Sequence, residues 1–135
     1  PHACIRPFLL DEKEAANAPE GTKTINANGK EIKGLLYYNR GNRAYNKGDY
    51  QRAISEYSKA LEYDPYYAAA WHNFGMAYIA AGDYEQAVKY LQKAIKCDNY
   101  YYSAYLSLGN IYALYYKDYE EAVRSYRKAI EIKPE

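Results

Sequence analysis

Residues 68–101 read AAAWHNFGMAYIAAGDYEQAVKYLQKAIKCDNYY, and the order of large, small and turn-forming residues in this stretch decides the architecture. Its landmarks are Trp71, Phe74-Gly75, Tyr78, Gly82, Ala87, Leu91 and Ala94. The same order stands 34 positions upstream, at Tyr37, Gly41, Gly48, Ala53, Tyr57, Ala60 and Pro65. It returns downstream at Tyr105, Leu108-Gly109, Tyr112, Ala122, Tyr126, Ala129 and Pro134. A fixed period of this size marks a tandem array in which each unit stacks on the next. The copies depart from one another in two places. Asn99 stands where the others carry Pro65 and Pro134, and the third copy has one extra residue in a turn that reads Tyr115-Tyr116-Lys117-Asp118 without a glycine.

Within the array the spacing predicts six helices, over 35–46, 50–63, 67–80, 84–97, 101–115 and 119–132. Gly48 and Gly82 fall just past helix ends, where a left-handed conformation costs glycine little. Asp49 and Asp83 follow them as N-caps, and Pro65 stops the helix before it. Gly41, Gly75 and Gly109 are expected where the two helices of a unit cross, facing Ala53, Ala87 and Ala122, because a larger side chain there would force the backbones apart.

Residues 1–33 lie outside the repeat. They suggest a short helix over 11–16, ended by Ala18-Pro19, and then a hairpin over 22–33 turning at Asn28-Gly29. Read blandly, this is a leader or an arm laid on the repeats. Read more sharply, Ile5, Phe8, Leu9 and Leu10 dock in a groove of this chain or of a neighbour.

The composition excludes several function classes. Residues 1–34 hold five basic and five acidic side chains, and residues 35–135 hold thirteen and twelve, within a net charge of +1. That balance argues against a basic field for nucleic acid or anionic lipid. No apolar run approaches the roughly 20 residues of a membrane span. Two cysteines, Cys4 and Cys97, are too few for a disulfide scaffold, which points to a reducing, cytoplasmic setting. A bridge between them is the exception to be checked. His2 and His72 have no partner at metal-ligand spacing, and Cys97 reads as a small buried apolar residue. The glycines at 41, 75 and 109 serve helix crossings and not a phosphate loop. No catalytic residue, metal or cofactor is expected.

Twenty tyrosines lie between Tyr37 and Tyr126. Nine of them occupy core positions of the repeat: Tyr37, Tyr50, Tyr57, Tyr78, Tyr84, Tyr105, Tyr112, Tyr119 and Tyr126. Of the rest, Tyr66-Tyr67, Tyr100-Tyr101-Tyr102 and Tyr115-Tyr116 cluster where units meet, as inter-unit packing or as a contact surface.

The pattern W-x-x-(L/F)-G-x-x-Y, then A-x-x-x-(F/Y/L)-x-x-A and P, resembles the tetratricopeptide repeat, a helix–turn–helix unit of about 34 residues. The resemblance covers residues 34–135. It implies an all-α, right-handed α-solenoid of three units (34–67, 68–101 and 102–135) preceded by the arm at 1–33. It also implies a non-catalytic scaffold or adaptor whose first helices line a concave groove for a peptide or helix of a partner protein. Carried onto this sequence, the groove residues are Tyr38, Asn42, Tyr45 and Asn46; His72, Asn73, Met76 and Ile79; and Leu106, Asn110 and Leu114, with Leu35, Ala69, Ala80, Ser103, Ser107 and Ala113 beside them.

Members of the family that clamp the acidic C-terminal tails of large chaperones use two asparagines, which Asn42 and Asn73 match. They also use three cations, whose places here hold Tyr38, Ser103 and Ser107. Without those charge-assisted bonds a chaperone tail is disfavoured, and a hydrophobic or mixed segment fits better. Because repeat ends need a polar cap, Val123, Tyr126 and Ile130 are expected to stand partly bare. The array then either continues in a longer protein, as a targeting domain would, or self-associates through its ends and the arm.

Overall fold

The computed structural model describes residues 25–134, and its helices are built from hairpins of equal design. In chain order they are α1 (Ile25–Asn46), α2 (Tyr50–Tyr63), α3 (Ala68–Ala80), α4 (Tyr84–Cys97), α5 (Tyr102–Ile111) and α6 (Tyr119–Ile132), with a π-helical turn, Tyr112–Tyr116, extending α5. No strand occurs among the described residues. The second helix of each pair carries small and large apolar residues on one face, as in Ala53, Tyr57, Ala60 and Leu61 of α2, at the spacing that makes one side of a helix apolar. That face is buried against the first helix, and the next pair stacks on the result. The chain is an all-α helical-repeat solenoid.

The turns follow from local chemistry. Gly48 and Gly82 have φ of +80° and +86°. The Asp49, Asp83 and Asp118 carboxylates accept the backbone N–H of Arg52, Gln86 and Glu121 at 3.2, 3.2 and 3.3 Å. Between units, Asp64 and Asp98 accept the N–H of Tyr66 and Tyr100 at 3.2 and 2.9 Å, each closing a turn with its own side chain. The two aspartates turn the chain alike, so replacing Pro65 by Asn99 leaves the stacking intact. In the third unit the extra residue is absorbed by the π-helical turn, and Lys117 takes the left-handed conformation at φ 55° that glycine takes in the others.

Two core clusters form, one around Ala44, Tyr57, Leu61, Ala70 and Phe74 and one around Ala87, Leu91, Ala94, Ala104, Leu108 and Ile111. Trp71 and Tyr78 pack against both and join them. The Trp71 indole N–H donates to Pro65 O at 2.8 Å, which pins α3 to the preceding turn.

Four expectations are corrected. The hairpin expected over 22–33 gives way from Ile25 onward to α1, which runs through Asn28-Gly29 and across the boundary drawn at 33/34; the remainder of that segment, the arm's apolar residues and Cys4 lie outside the described residues. The crossing glycines meet first the side chains one turn beyond the alanines: a Cβ at Gly41, Gly75 or Gly109 would meet Tyr57, Leu91 or Tyr126, and only at Gly75 the expected alanine, Ala87, through its carbonyl as well. Of the nine core tyrosines only Tyr57 is sealed, at 1% exposure, while Tyr119 is 63% exposed. A phenol is too long to bury whole without a partner for its hydroxyl, so most of these rings end at the rim. Cys97 is half-buried rather than sealed, its thiol 3.7 Å from Pro65 O.

Candidate concave groove

The first helices α1, α3 and α5 place their spare faces side by side. Asn42, Tyr45, Asn46, His72, Asn73 and Met76, with Tyr57 from α2, line a concavity of about 380 Å³. Met76 also begins a second one of about 290 Å³, shared with Ile79, Ser107, Asn110, Ile111 and Leu114 and walled by Tyr84 and Tyr115. The two differ in chemistry. The first is ringed by amides, an imidazole and phenols, and the second is largely aliphatic and aromatic.

The polar end is cross-linked. Asn42 Oδ1 accepts the Tyr57 hydroxyl at 2.5 Å and the Asn73 amide at 3.0 Å, and the same Asn73 nitrogen donates to Tyr38 Oη at 3.0 Å. His72 Nδ1 lies 3.1 Å from Asn73 Oδ1, and its Nε2 lies 3.3 Å from Ser107 Oγ. Burial holds the His72 imidazole below its ordinary range, against the opposing pull of the Asn73 bond, so the ring is neutral near pH 7. The Ser107 hydroxyl also reaches Met76 Sδ at 3.4 Å. Asn73 is thereby a strut between units, its amide nitrogen already engaged twice. Asn42 and Asn110 engage their oxygens, Asn110 with the Tyr126 hydroxyl at 2.5 Å, which leaves their amide N–H groups to face the groove.

Of the residues expected in the groove, Asn42, Tyr45, Asn46, His72, Asn73, Met76, Ile79, Asn110 and Leu114 meet in the two concavities. Tyr38 stands behind them, holding Asn73 and packing on Tyr67 at 4.7 Å. Leu106 is exposed and lines neither concavity. Tyr57, Tyr84 and Tyr115 were missed because they come from second helices and a turn. The extra residue in the third unit was the one signal for Tyr115, whose ring stacks on Tyr84 with centroids 4.0 Å apart.

Among the described residues no group of His, Cys, Asp and Glu is placed to hold a metal ion, and no helix is long and apolar enough to cross a membrane. Stacked hairpins whose first helices line adjoining concavities define a helical-repeat scaffold of the protein-interaction class. Tetratricopeptide-repeat family models match residues 44–110 and 102–135, and the chain belongs to that family.

An uncharacterized protein of Methanocaldococcus jannaschii is 40% identical over 45 residues, which are 33% of this chain and 52% of that protein. The crystal structure of MamA superposes with a TM-score of 0.72 at 27% identity, covering 75% of this chain and 58% of that one. The chain thus spans little more than half the length of these two relatives. The second repeat domain of Spaghetti (RPAP3), solved with the HSP90 peptide SRMEEVD, has a TM-score of 0.74 at 26% identity and covers 79% of this chain and 97% of that one.

Proposed function

We propose that the concave groove binds an extended segment or helix of a partner protein, holding its backbone at the amide end and an apolar side chain at the other. The observation that carries this reading is the pair of adjoining concavities that share Met76 and change from polar to apolar along the groove. Leu114, 78% exposed, and the half-buried Ile79 supply the anchor, while Asn42 and Asn110 offer N–H groups that read a peptide backbone whatever its sequence. An acidic chaperone tail, such as the one bound by the RPAP3 domain, is the poorer ligand in this reading. Tyr38 behind this wall and Ser107 on it supply no cation, and Ser107 is engaged with His72 and Met76.

Peptides selected from a display library against the purified chain test this. They are expected to carry a large apolar residue and to lose about tenfold or more in affinity to an Ile79→Ala/Leu114→Ala variant, the size expected for removing two apolar contacts. SRMEEVD is expected to bind more weakly than the selected peptides. Equal binding to wild type and variant would move the site elsewhere.

Tyr119, Val123 and Ile130 on α6 favour a second reading, self-association through that end of the stack. Their counterparts one unit earlier, Tyr84, Val88 and Ile95, pack in a core cluster. Light scattering across a concentration series separates the two readings, because only the second predicts growth in mass without a ligand.

A further inference from the structure

At the opposite end of the stack, Arg40, Arg43, Lys47 and Arg52 surround a surface concavity of about 320 Å³ floored by Ala44, with Asp49 the only carboxylate among the described residues of its wall. Arg40 and Arg43 stand three residues apart on one face of α1, Lys47 follows in the turn just past its end, and Arg52 reaches in from the first turn of α2. Comparison with the other units shows what this face is. Arg40 stands where they place the buried Phe74 and Leu108, and Arg43 where they place Ala77 and Ile111. Lys47 corresponds to Ala81 and Tyr115, and Arg52 to Gln86 and Glu121. Neither later unit has a cation at any of the four positions. In those units Phe74, Ala77, Leu108 and Ile111 are buried in the core; here Arg40 and Arg43 are cationic and exposed.

Among the described residues nothing neutralises these charges. Asp49 spends its Oδ1 on the Arg52 backbone N–H, and among the described residues none of the four cations lies within ion-pair distance of a carboxylate, Glu56 on α2 included. Arg40 is braced over the Tyr37 ring, 5.2 Å from its centroid. Chain-wide balance hides this concentration of charge, because the net +1 averages it against acidic residues elsewhere, such as the turn residues Asp64, Asp83, Asp98 and Asp118.

We propose that this end face is a second binding surface, separate from the groove, for an acidic segment of a partner polypeptide. Charge complementarity selects the partner. Two guanidinium forks match carboxylates in pairs, and a Lys and a third Arg extend the field to a run of them. Another copy docked by its α6 end would set Val123 and Ile130 against Arg40 and Arg43, burying charge on apolar surface, so a head-to-tail copy does not fit.

The test is fluorescence anisotropy of the full chain with an acetylated, amidated hexaglutamate probe. Saturable binding is expected, weakening as salt rises. It should fall about tenfold or more in an Arg40→Gln/Arg43→Gln variant, a loss in line with removing two charge-assisted contacts. Both side chains are exposed, so an unchanged thermal melt is expected to show that the variant is folded. The Ile79→Ala/Leu114→Ala groove variant is expected to bind the probe like wild type, which keeps this surface distinct from the groove whether or not the groove reading holds. Absence of saturable binding, or equal binding by the arginine variant, would overturn the proposal. So would tripolyphosphate binding tighter than the peptide and lost on the same substitution, which would assign the face to a small anion.

Discussion

In the first and third repeats, a tyrosine of the second helix lies over the crossing glycine and gives its hydroxyl to the asparagine beside that glycine: Tyr57 to Asn42 and Tyr126 to Asn110, both at 2.5 Å. The middle repeat puts Leu91 and Met76 at the same two positions. The difference teaches how core and groove are coupled. A ring packed on a glycine brings a hydroxyl to the groove floor, and a hydroxyl leaving water needs an acceptor, so the neighbouring groove residue must be polar. With leucine in the core nothing has to be satisfied, and the groove can turn apolar at Met76. The change in groove chemistry therefore begins as a choice made in the core.

The largest expected effect strikes the ring directly. A Cβ on Gly41 would lie 2.5 Å from two Tyr57 ring carbons, whereas one on Gly75 would lie 3.0 Å from Leu91 Cγ and 3.2 Å from Ala87 O. Tyr57 is sealed and cannot swing aside. Overpacking costs about 1–3 kcal/mol, and replacing a helical glycine by alanine returns about 1 kcal/mol. Gly41→Ala is expected to lose about 2 kcal/mol in urea denaturation. Gly75→Ala should stay within about 1 kcal/mol of wild type. Gly109→Ala should fall between, because the half-buried Tyr126 has room to turn. Equal losses at all three would remove the distinction between repeats.

A transplant sharpens the same comparison. Leu91→Tyr alone crowds a sealed site and strands a hydroxyl, and Met76→Asn alone adds an amide with no phenol to meet it. Made together they rebuild the outer-repeat pair, and the double variant should be more stable than the sum of the singles by about 1 kcal/mol. The cycle is read from equilibrium unfolding. Strict additivity would show that the tyrosine–asparagine pairs of the outer repeats are incidental.

High pH probes the tyrosine–asparagine pair of the first repeat. Burial, reinforced by the neighbouring Tyr38, pushes the Tyr57 hydroxyl well above its ordinary range. A group whose folded-state pKa is raised contributes stability that is complete below its unfolded pKa, near 10, and is lost as pH climbs through the folded value. Unfolding free energy is therefore expected to decline above about pH 10, and Tyr57→Phe should make that decline shallower. Tyr67, Tyr78, Tyr101 and Tyr112, also raised by burial, contribute to the same decline. An unchanged slope in the variant would place the titration elsewhere.

The sequence was informative wherever a rule depends on near neighbours. Helices α2, α4 and α6 begin and end where Asp49, Asp83 and Ile132 suggested, because caps and periodicity act over a single turn. Residues on one face of a first helix were also legible, which is why most of the expected groove comes together. Two features were not. Asn28-Gly29 carries a turn signal, but α1 runs straight through it, with Gly34 buried close to Asp64 and Ala60 of α2 from the same helix. The basic end face was hidden because balanced totals say nothing about where charges gather. Aligning Arg40 and Arg43 with Phe74 and Ala77 would have revealed it.

The third turn offers the smallest effect and a comparison with its two sisters. Gly48 and Gly82 reach φ of +80° and +86° without a side chain, while Lys117 holds φ 55° with one. A non-glycine residue in the left-handed region costs roughly 1–2 kcal/mol, and glycine takes back part of that by loosening the unfolded chain. Lys117→Gly is thus expected to stabilise the domain by about 0.5–1 kcal/mol, seen as a higher denaturation midpoint with an unchanged slope. The lysine is exposed and adjoins neither binding surface, so both binding assays should read as wild type. A loss of stability would mean that the π-helical turn, and not glycine-like geometry, sets the path of the chain from α5 into α6. The extra residue would then be a structural element of the third repeat rather than an insertion the fold tolerates.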